Sequence, residues 1–332
     1  MTTDLKKYAH VNLEIIAIFA NKIKKIIKMN KVAIVLGNGF DLNLLLRTSY
    51  TDFAKSKEFE DLSKKCLFSN YIDISNPRKS LFAHLQSGFN TNNWFDIEEE
   101  IYSFAINYNN PIPLLSEEFD SIRCALQQYL IRVINNTIPC QESLAYHFMK
   151  DIVNDSSCGI RIYSFNYTNC LSLCNCNPNK QVDLYNIHGD LDSNIVIGYF
   201  DYKNKITNDE CSFMDKANML KSGGFRMEFG LVEAKEVIFF GHSLNPMDFS
   251  YFKSYFNYLE NSKSVDQSLT FVCLDNNSIV GIKNNIKSQG YDIRKLYDHL
   301  QNINFIRTHN WNERNQEDVK LYNQLSLRLK TL

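Results

Sequence analysis

Lys31-Val32-Ala33-Ile34-Val35-Leu36-Gly37-Asn38-Gly39-Phe40-Asp41 reads as a buried strand running straight into a glycine turn. The apolar run from Val32 to Leu36 has no polar interruption, the pattern of a strand covered on both faces, as in parallel sheets. Gly37 and Gly39 then allow a tight turn and close backbone approach to a phosphate at a helix start. A full dinucleotide fingerprint places a third glycine where this chain has Leu42. By itself, therefore, the turn is equally well an ordinary strand-to-helix connection.

Working outward from that turn, the pattern from about residue 42 to 150 is helical, with segments near 51–66, 79–88, 95–107, 116–136 and 141–154. Strand-like runs resume at 161–165, 182–187, 195–199, 237–240, 269–274 and 303–307, with helical stretches such as 247–260 and 277–289 between them. Strands alternating with helices imply an α/β fold: a Rossmann-like, mostly parallel sheet with a helical insertion after its first strand. The expected division is a core of 29–50 and 155–332, an insertion of 51–154, and an N-terminal helical extension of 1–28. In that extension Ile15, Ile16, Ile18, Phe19, Ile23, Ile26 and Ile27 have helical spacing, while Met29 reads as a natural domain start.

Composition excludes several function classes. Lys and Arg total 36 against 37 Asp and Glu, so no bulk positive charge advertises a nucleic-acid grip. Nine cysteines at irregular spacing read as reduced thiols of a cytoplasmic protein. The nearest cluster, Cys170, Cys174 and Cys176, lacks the paired Cys-x-x-Cys of a structural zinc site, so no metal site is expected. The apolar run from Ile15 to Ala20 is too short to span a membrane and is flanked by Glu14 and Lys22.

Chemistry gathers at strand ends, where open parallel sheets bind ligands. Besides the first glycine turn, Ser164-Phe165-Asn166-Tyr167-Thr168 offers an amide and hydroxyls, which suit ribose or water but equally suit a helix cap. Ile187-His188-Gly189-Asp190 places a histidine that can act as a general base near neutral pH. Gly241-His242-Ser243-Leu244, with Asp248 one turn on, resembles a second phosphate or ribose contact, or again a helix start with Ser243 or Asn245 as cap. His84, His147, His299 and His309 have no such setting and read as structural or surface residues.

In this order the segments resemble the AbiH family of bacterial phage-defence proteins. The motifs are Gly37-Asn38-Gly39-Phe40-Asp41-Leu42, Thr48-Ser49-Tyr50-x-Asp52-Phe53, Trp94-x-Asp96-Ile97-Glu98, Phe165-Asn166-Tyr167-Thr168, His188-Gly189 and Gly241-His242-Ser243-Leu244 with Asp248. The chain departs from the pattern at Leu44-Leu45-Leu46-Arg47, where a glycine is expected before the Thr-Ser-Tyr segment. A more distant resemblance is to SIR2-type NAD-binding domains, which share a Gly-x-Gly opening, an Asn after a middle strand, a His-Gly and a Gly-x-Ser. In those domains the Asn and His serve cleavage of the nicotinamide–ribose bond, and Asn166 and His188 match them by position.

What the resemblance implies is an abortive-infection effector that hydrolyses NAD to nicotinamide and ADP-ribose, with NAD as substrate and no resident cofactor. Gly37, Asn38, Gly39 and Phe40 would hold the pyrophosphate. Gly241, Ser243 and Asp248 would meet the adenosine half, and Asp52-Phe53 would close the loop over the ligand. His188 would accept a proton, Asn166 would orient water or ribose beside Thr168 and Gly189, and Asp41, or Asp96 and Glu98, would stabilise the positive ribose. Such an activity implies a phage-derived trigger or a homo-oligomeric switch. Two other readings compete: a nucleotide-binding sensor without turnover, and a metal-dependent nuclease using the carboxylates of Asp96, Glu98, Glu99 and Glu100.

Overall fold

The computed structural model describes residues 30–67, 80–91, 95–107, 114–155, 158–177, 182–201, 205–206, 209–219, 227–309, 311 and 315–332. The expected N-terminal extension and Trp94 lie outside these residues. The first strand, β1 (Asn30–Leu36), is followed by a short helix α1 (Asn38–Asn43) and then α2 (Tyr50–Ala54), α3 (Lys57–Leu67), α4 (Leu81–Thr91), α5 (Ile97–Asn107), α6 (Leu115–Asn136) and α7 (Leu144–Asp155). Next come β2 (Gly159–Ser164), α8 (Cys170–Leu173), β3 (Val182–Asn186), a 3-10 turn at Asp209–Met214, α9 (Lys216–Met219) and α10 (Met227–Glu233). The last third holds β4 (Glu236–Phe240), α11 (Pro246–Phe249), α12 (Lys253–Asn261), β5 (Val265–Cys273), α13 (Asn276–Ser288), α14 (Ile293–His299), β6 (Leu300–Arg307) and α15 (Gln316–Thr331).

All six strands are parallel, in the order β3-β2-β1-β4-β5-β6. This is the doubly wound Rossmann order, whose direction reverses between β1 and β4. The alternation along β1 explains why it is apolar throughout. Val32, Ile34 and Leu36 face one layer with Phe148 and Ile152 of α7 and Leu325 and Leu329 of α15. Ala33 and Val35 face the other, with Leu231 of α10, Tyr255 and Leu259 of α12 and Ile286 of α13. Burying such a strand on both sides removes apolar area worth about 25 cal/mol per Å². A polar side chain at any of these five positions would forfeit that gain.

Helices α2 to α6 form a separate apolar cluster beside the sheet. α7, although within the expected insertion, lies against the sheet. Conversely Ile195, Ile197 and Tyr199, between β3 and β4, pack into the helical cluster. That placement corrects the expectation of a strand at 195–199, which has only an isolated bridge between Tyr199 and Asp215. The alternating side chains there bury one face against helices, and alternation reports burial rather than sheet membership. The expected helix at 247–260 is broken into α11, a 3-10 turn at Ser250–Phe252, and α12. Among the described residues no helix is long and apolar enough to cross a membrane.

Candidate functional site

A cavity of about 460 Å³ opens beyond the carboxyl ends of β1, β2, β3 and β4, at the point where strand order reverses. The turns after β1 and β4 form its floor by binding each other. Gly37 N–H donates to Phe240 O at 2.9 Å, and Gly39 N–H donates to Gly241 O at 3.0 Å. A side chain would break this contact, because a Cβ on Gly37 would lie 2.6 Å from Gly241 O. The glycines therefore shape the floor, and their N–H groups are spent on it. Asn38 ties the turn to the next loop, its Oδ1 accepting from Thr48 Oγ1 at 2.6 Å.

Asp41 joins α1 to the segment after β2. Its Oδ1 accepts from Asn166 Nδ2 at 2.9 Å and its Oδ2 from Thr168 Oγ1 at 2.8 Å. Burial pushes the Asp41 carboxyl up to about 7, against the lowering by its Thr168 and Asn166 hydrogen bonds. Asn166 Nδ2 also donates to Gly37 O at 3.2 Å. Both amide hydrogens are thus used, leaving the amide oxygen as the group Asn166 offers a ligand.

A buried ionic cluster forms the far wall. Lys216 is fully buried, and its Nζ lies 2.7 Å from Glu98 Oε2, 3.1 Å from Asp248 Oδ1 and 3.4 Å from His188 Nε2. These four residues come from α9, α5, α11 and the turn after β3, so helical insertion and sheet meet here. His242 joins through Nε2, 3.9 Å from Asp248 Oδ2, while its Nδ1 accepts from Leu244 N–H. Desolvation and then the neighbouring Lys216 push His188 down to about 3. Desolvation likewise lowers His242 to about 4. An imidazole in this setting is neutral at physiological pH, a weak base and a good hydrogen-bond acceptor. Burial would raise Asp248, but Lys216, His188 and His242 overcome it and hold the carboxylate below its ordinary range. Burial, incompletely offset by Lys216 and reinforced by Asp248 and Asp96, pushes Glu98 up to about 8.

Of the residues expected from sequence, Gly37, Asn38, Gly39, Asp41, Asn166, Thr168, His188, Gly241, Ser243 and Asp248 line this one cavity. Others do not. Phe40 is buried in the sheet layer, edge-on to Phe240. Phe53 packs in the helical cluster against Phe59 and Tyr129. Asp52 lies in the first turn of α2, where Ser49 is the cap: Ser49 Oγ accepts from Asp52 N–H and donates to the Asp52 carboxylate. Gly189 makes the turn that releases His188, with φ +76.

Lys216 was not legible as a site residue: it sits on a short helix with no motif around it. What places it is Tyr199, whose carbonyl accepts from Lys216 N–H at 2.8 Å. The missing glycine also has a physical counterpart. Leu45, in the stretch where one was expected, adopts φ 63 with its side chain largely exposed.

The sequence matches the family described as bacteriophage abortive infection AbiH over residues 33–268. The chain belongs to the AbiH family. The matched span runs from β1 into β5 and takes in all four strand ends, the inserted helices and Lys216, so it supplies most of the cavity lining; the rest, from Cys273 and Leu274 to Asn285 of α13, follows it. Membership implies a role in abortive infection by bacteriophage. No curated protein matches the chain.

Proposed function

We propose that this AbiH protein acts in abortive infection by hydrolysing NAD at the switch-point cavity, releasing nicotinamide and ADP-ribose. The observation that carries the reading is the acidic lining. Asp41, Asp96, Glu98 and Asp248 line the cavity, and the Lys216 ammonium that pairs with Glu98 and Asp248 sits behind them, outside the lining. Such a wall suits a ligand that is cationic at its reacting end. The pyridinium of NAD is cationic, and the ribose becomes so as the bond to nicotinamide breaks.

Within this reading the amide oxygen of Asn166 accepts from a ribose hydroxyl or the attacking water. His188, neutral in its buried setting, accepts from a second hydroxyl. Asn38 and Ser243 supply neutral polar contacts on the two sides of the glycine floor. A phage-derived trigger or a homo-oligomeric switch would keep the activity silent before infection. The nuclease alternative fits less well: the Lys216 ammonium already neutralises the Glu98 and Asp248 carboxylates that a divalent ion would need. The sensor alternative draws support from the low basicity of His188, and it predicts nucleotide binding without turnover.

The test is a mass-spectrometric assay of purified protein with NAD, repeated with Asn166→Ala, with His188→Ala and in phage-infected lysate. Matched formation of nicotinamide and ADP-ribose, lost in both variants, supports hydrolysis. Binding without turnover in every condition moves the sensor reading ahead.

A further inference from the structure

The Trp94–Glu98 motif has a definite geometry in its last residues. Asp96 Oδ1 accepts from Glu98 N–H at 3.0 Å, so it caps α5. Glu98, on the first turn, is 4% exposed, lines the cavity, and gives its Oε2 to Lys216. Its other oxygen, Oε1, is buried with no hydrogen-bond partner among the described residues. A buried carboxyl oxygen left unpaired is costly, and native proteins keep such groups where a ligand or water completes them.

We propose that Glu98 is the proton acceptor of the hydrolysis, taking the proton of the attacking water on Oε1 while Lys216 holds Oε2 in place. This rests on the NAD-hydrolase reading above. The water oxygen forms a bond to the anomeric carbon of the ribose. The bond from that carbon to the pyridinium nitrogen breaks, and its electron pair leaves with nicotinamide as a neutral molecule. The water proton passes to Glu98, so charge and atoms balance without a further reactant. Lys216 is a positioning residue, because it reaches the water only through the carboxylate it fixes.

The groups facing Glu98 set when it can do this. Lys216 from α9 lowers its proton affinity, and Asp248 from α11 and Asp96 from its own helix raise it. Tyr50, Tyr167 and Tyr251 also face it, and the Glu98 charge makes each of them harder to ionise. With burial dominant, Glu98 is pushed up to about 8, a far stronger base than His188, held down at about 3. Activity therefore rises with pH until Glu98 is ionised, then levels.

The experiment measures NAD turnover by the full chain between about pH 6 and 9, for wild type, Glu98→Gln and Glu98→Asp, beside ADP-ribose affinity and thermal melting. Glu98→Gln should lose about 10²- to 10⁴-fold in kcat and the rising limb, with ADP-ribose Kd within about threefold of wild type. Glu98→Asp should keep part of the rate and the limb. A Glu98→Gln protein that turns over at the wild-type rate overturns the role of Glu98 alone. So does a flat wild-type profile, which needs no variant to fold. A wild type that does not cleave NAD overturns the hydrolase reading and this step together.

Discussion

Lys216 Nζ donates to Glu98 Oε2 at 2.7 Å across the boundary between the sheet and the inserted helices, with no exposed surface on the lysine. The same ammonium reaches Asp248 Oδ1 at 3.1 Å, so one cation serves two carboxyl groups. Lys216→Met would leave Asp248 without its counter-charge and Glu98 without its hydrogen-bond donor, at a cost of about 3–5 kcal/mol. Without the lysine the folded-state affinity of Asp248 for a proton rises above its unfolded value. Stability is then retained at low pH and lost as pH rises, so the deficit against wild type should be larger at pH 8 than at pH 6. Urea denaturation at the two pH values checks this, and an equal deficit at both would contradict the pairing.

Asp41 carries the opposite signature to an ordinary paired carboxylate. Its folded pKa is about 7 against an ordinary 3.8, so its ionisation opposes folding. Stability contributed by the protonated form is full below the unfolded value and is lost as pH rises through the folded one. Between about pH 4 and 7 wild type should lose a few kcal/mol relative to Asp41→Asn, which keeps the shape and can still accept from Asn166. Denaturation of both proteins across that window gives the difference directly, and parallel curves would refute the buried ionisation.

The histidines of the cluster titrate the other way. His188 and His242 are held at about 3 and about 4, below the ordinary 6.5, by desolvation above all. A base whose folded pKa is depressed gives stability present above its unfolded value and lost as pH falls toward the folded one. Both rings should therefore remain neutral at about pH 5.5, and stability should fall steadily on acidification from about 6.5. Nitrogen chemical shifts of the two imidazoles report their protonation, and a cationic ring at pH 5.5 would refute the desolvated setting.

Much of this was legible because it is local. The apolar run Val32–Leu36 fixes a doubly covered strand, and the Gly37-x-Gly39 turn marks the end that opens on the cavity; both are properties of adjacent residues. The strand ends at Asn166, His188 and Gly241 announced themselves in the same way. The segment at 195–199 misled because its alternation is the same whether helices or a sheet cover it. Asp52 and Phe53 misled because a capping box and a core aromatic can share a motif with a ligand loop. Lys216 was invisible because its meaning depends on Glu98, 118 residues away in sequence. Nothing near Lys216 in the chain signals that it is buried.

Two residues with the same backbone conformation should respond to substitution with opposite signs. Leu45 has φ 63 and Gly241 has φ 65, both in the left-handed region that costs a side-chain-bearing residue about 1–2 kcal/mol. At Leu45 the side chain is 68% exposed, so Leu45→Gly relieves the strain and gives up little burial. The extra unfolded-state entropy of glycine takes back about 0.4–1 kcal/mol, leaving a net gain of about 0.5–1 kcal/mol. At Gly241 the case reverses, because an added Cβ would lie 2.3 Å from Phe40 N, a backbone atom of the β1 turn. Gly241→Ala pays both the conformational strain and the overlap, so it should lose about 3 kcal/mol or more and disrupt the cavity floor. Denaturant titrations of the two variants side by side decide it. A loss at Leu45→Gly would show that its side chain secures the loop, and a neutral Gly241→Ala would show that the two turns can part without cost.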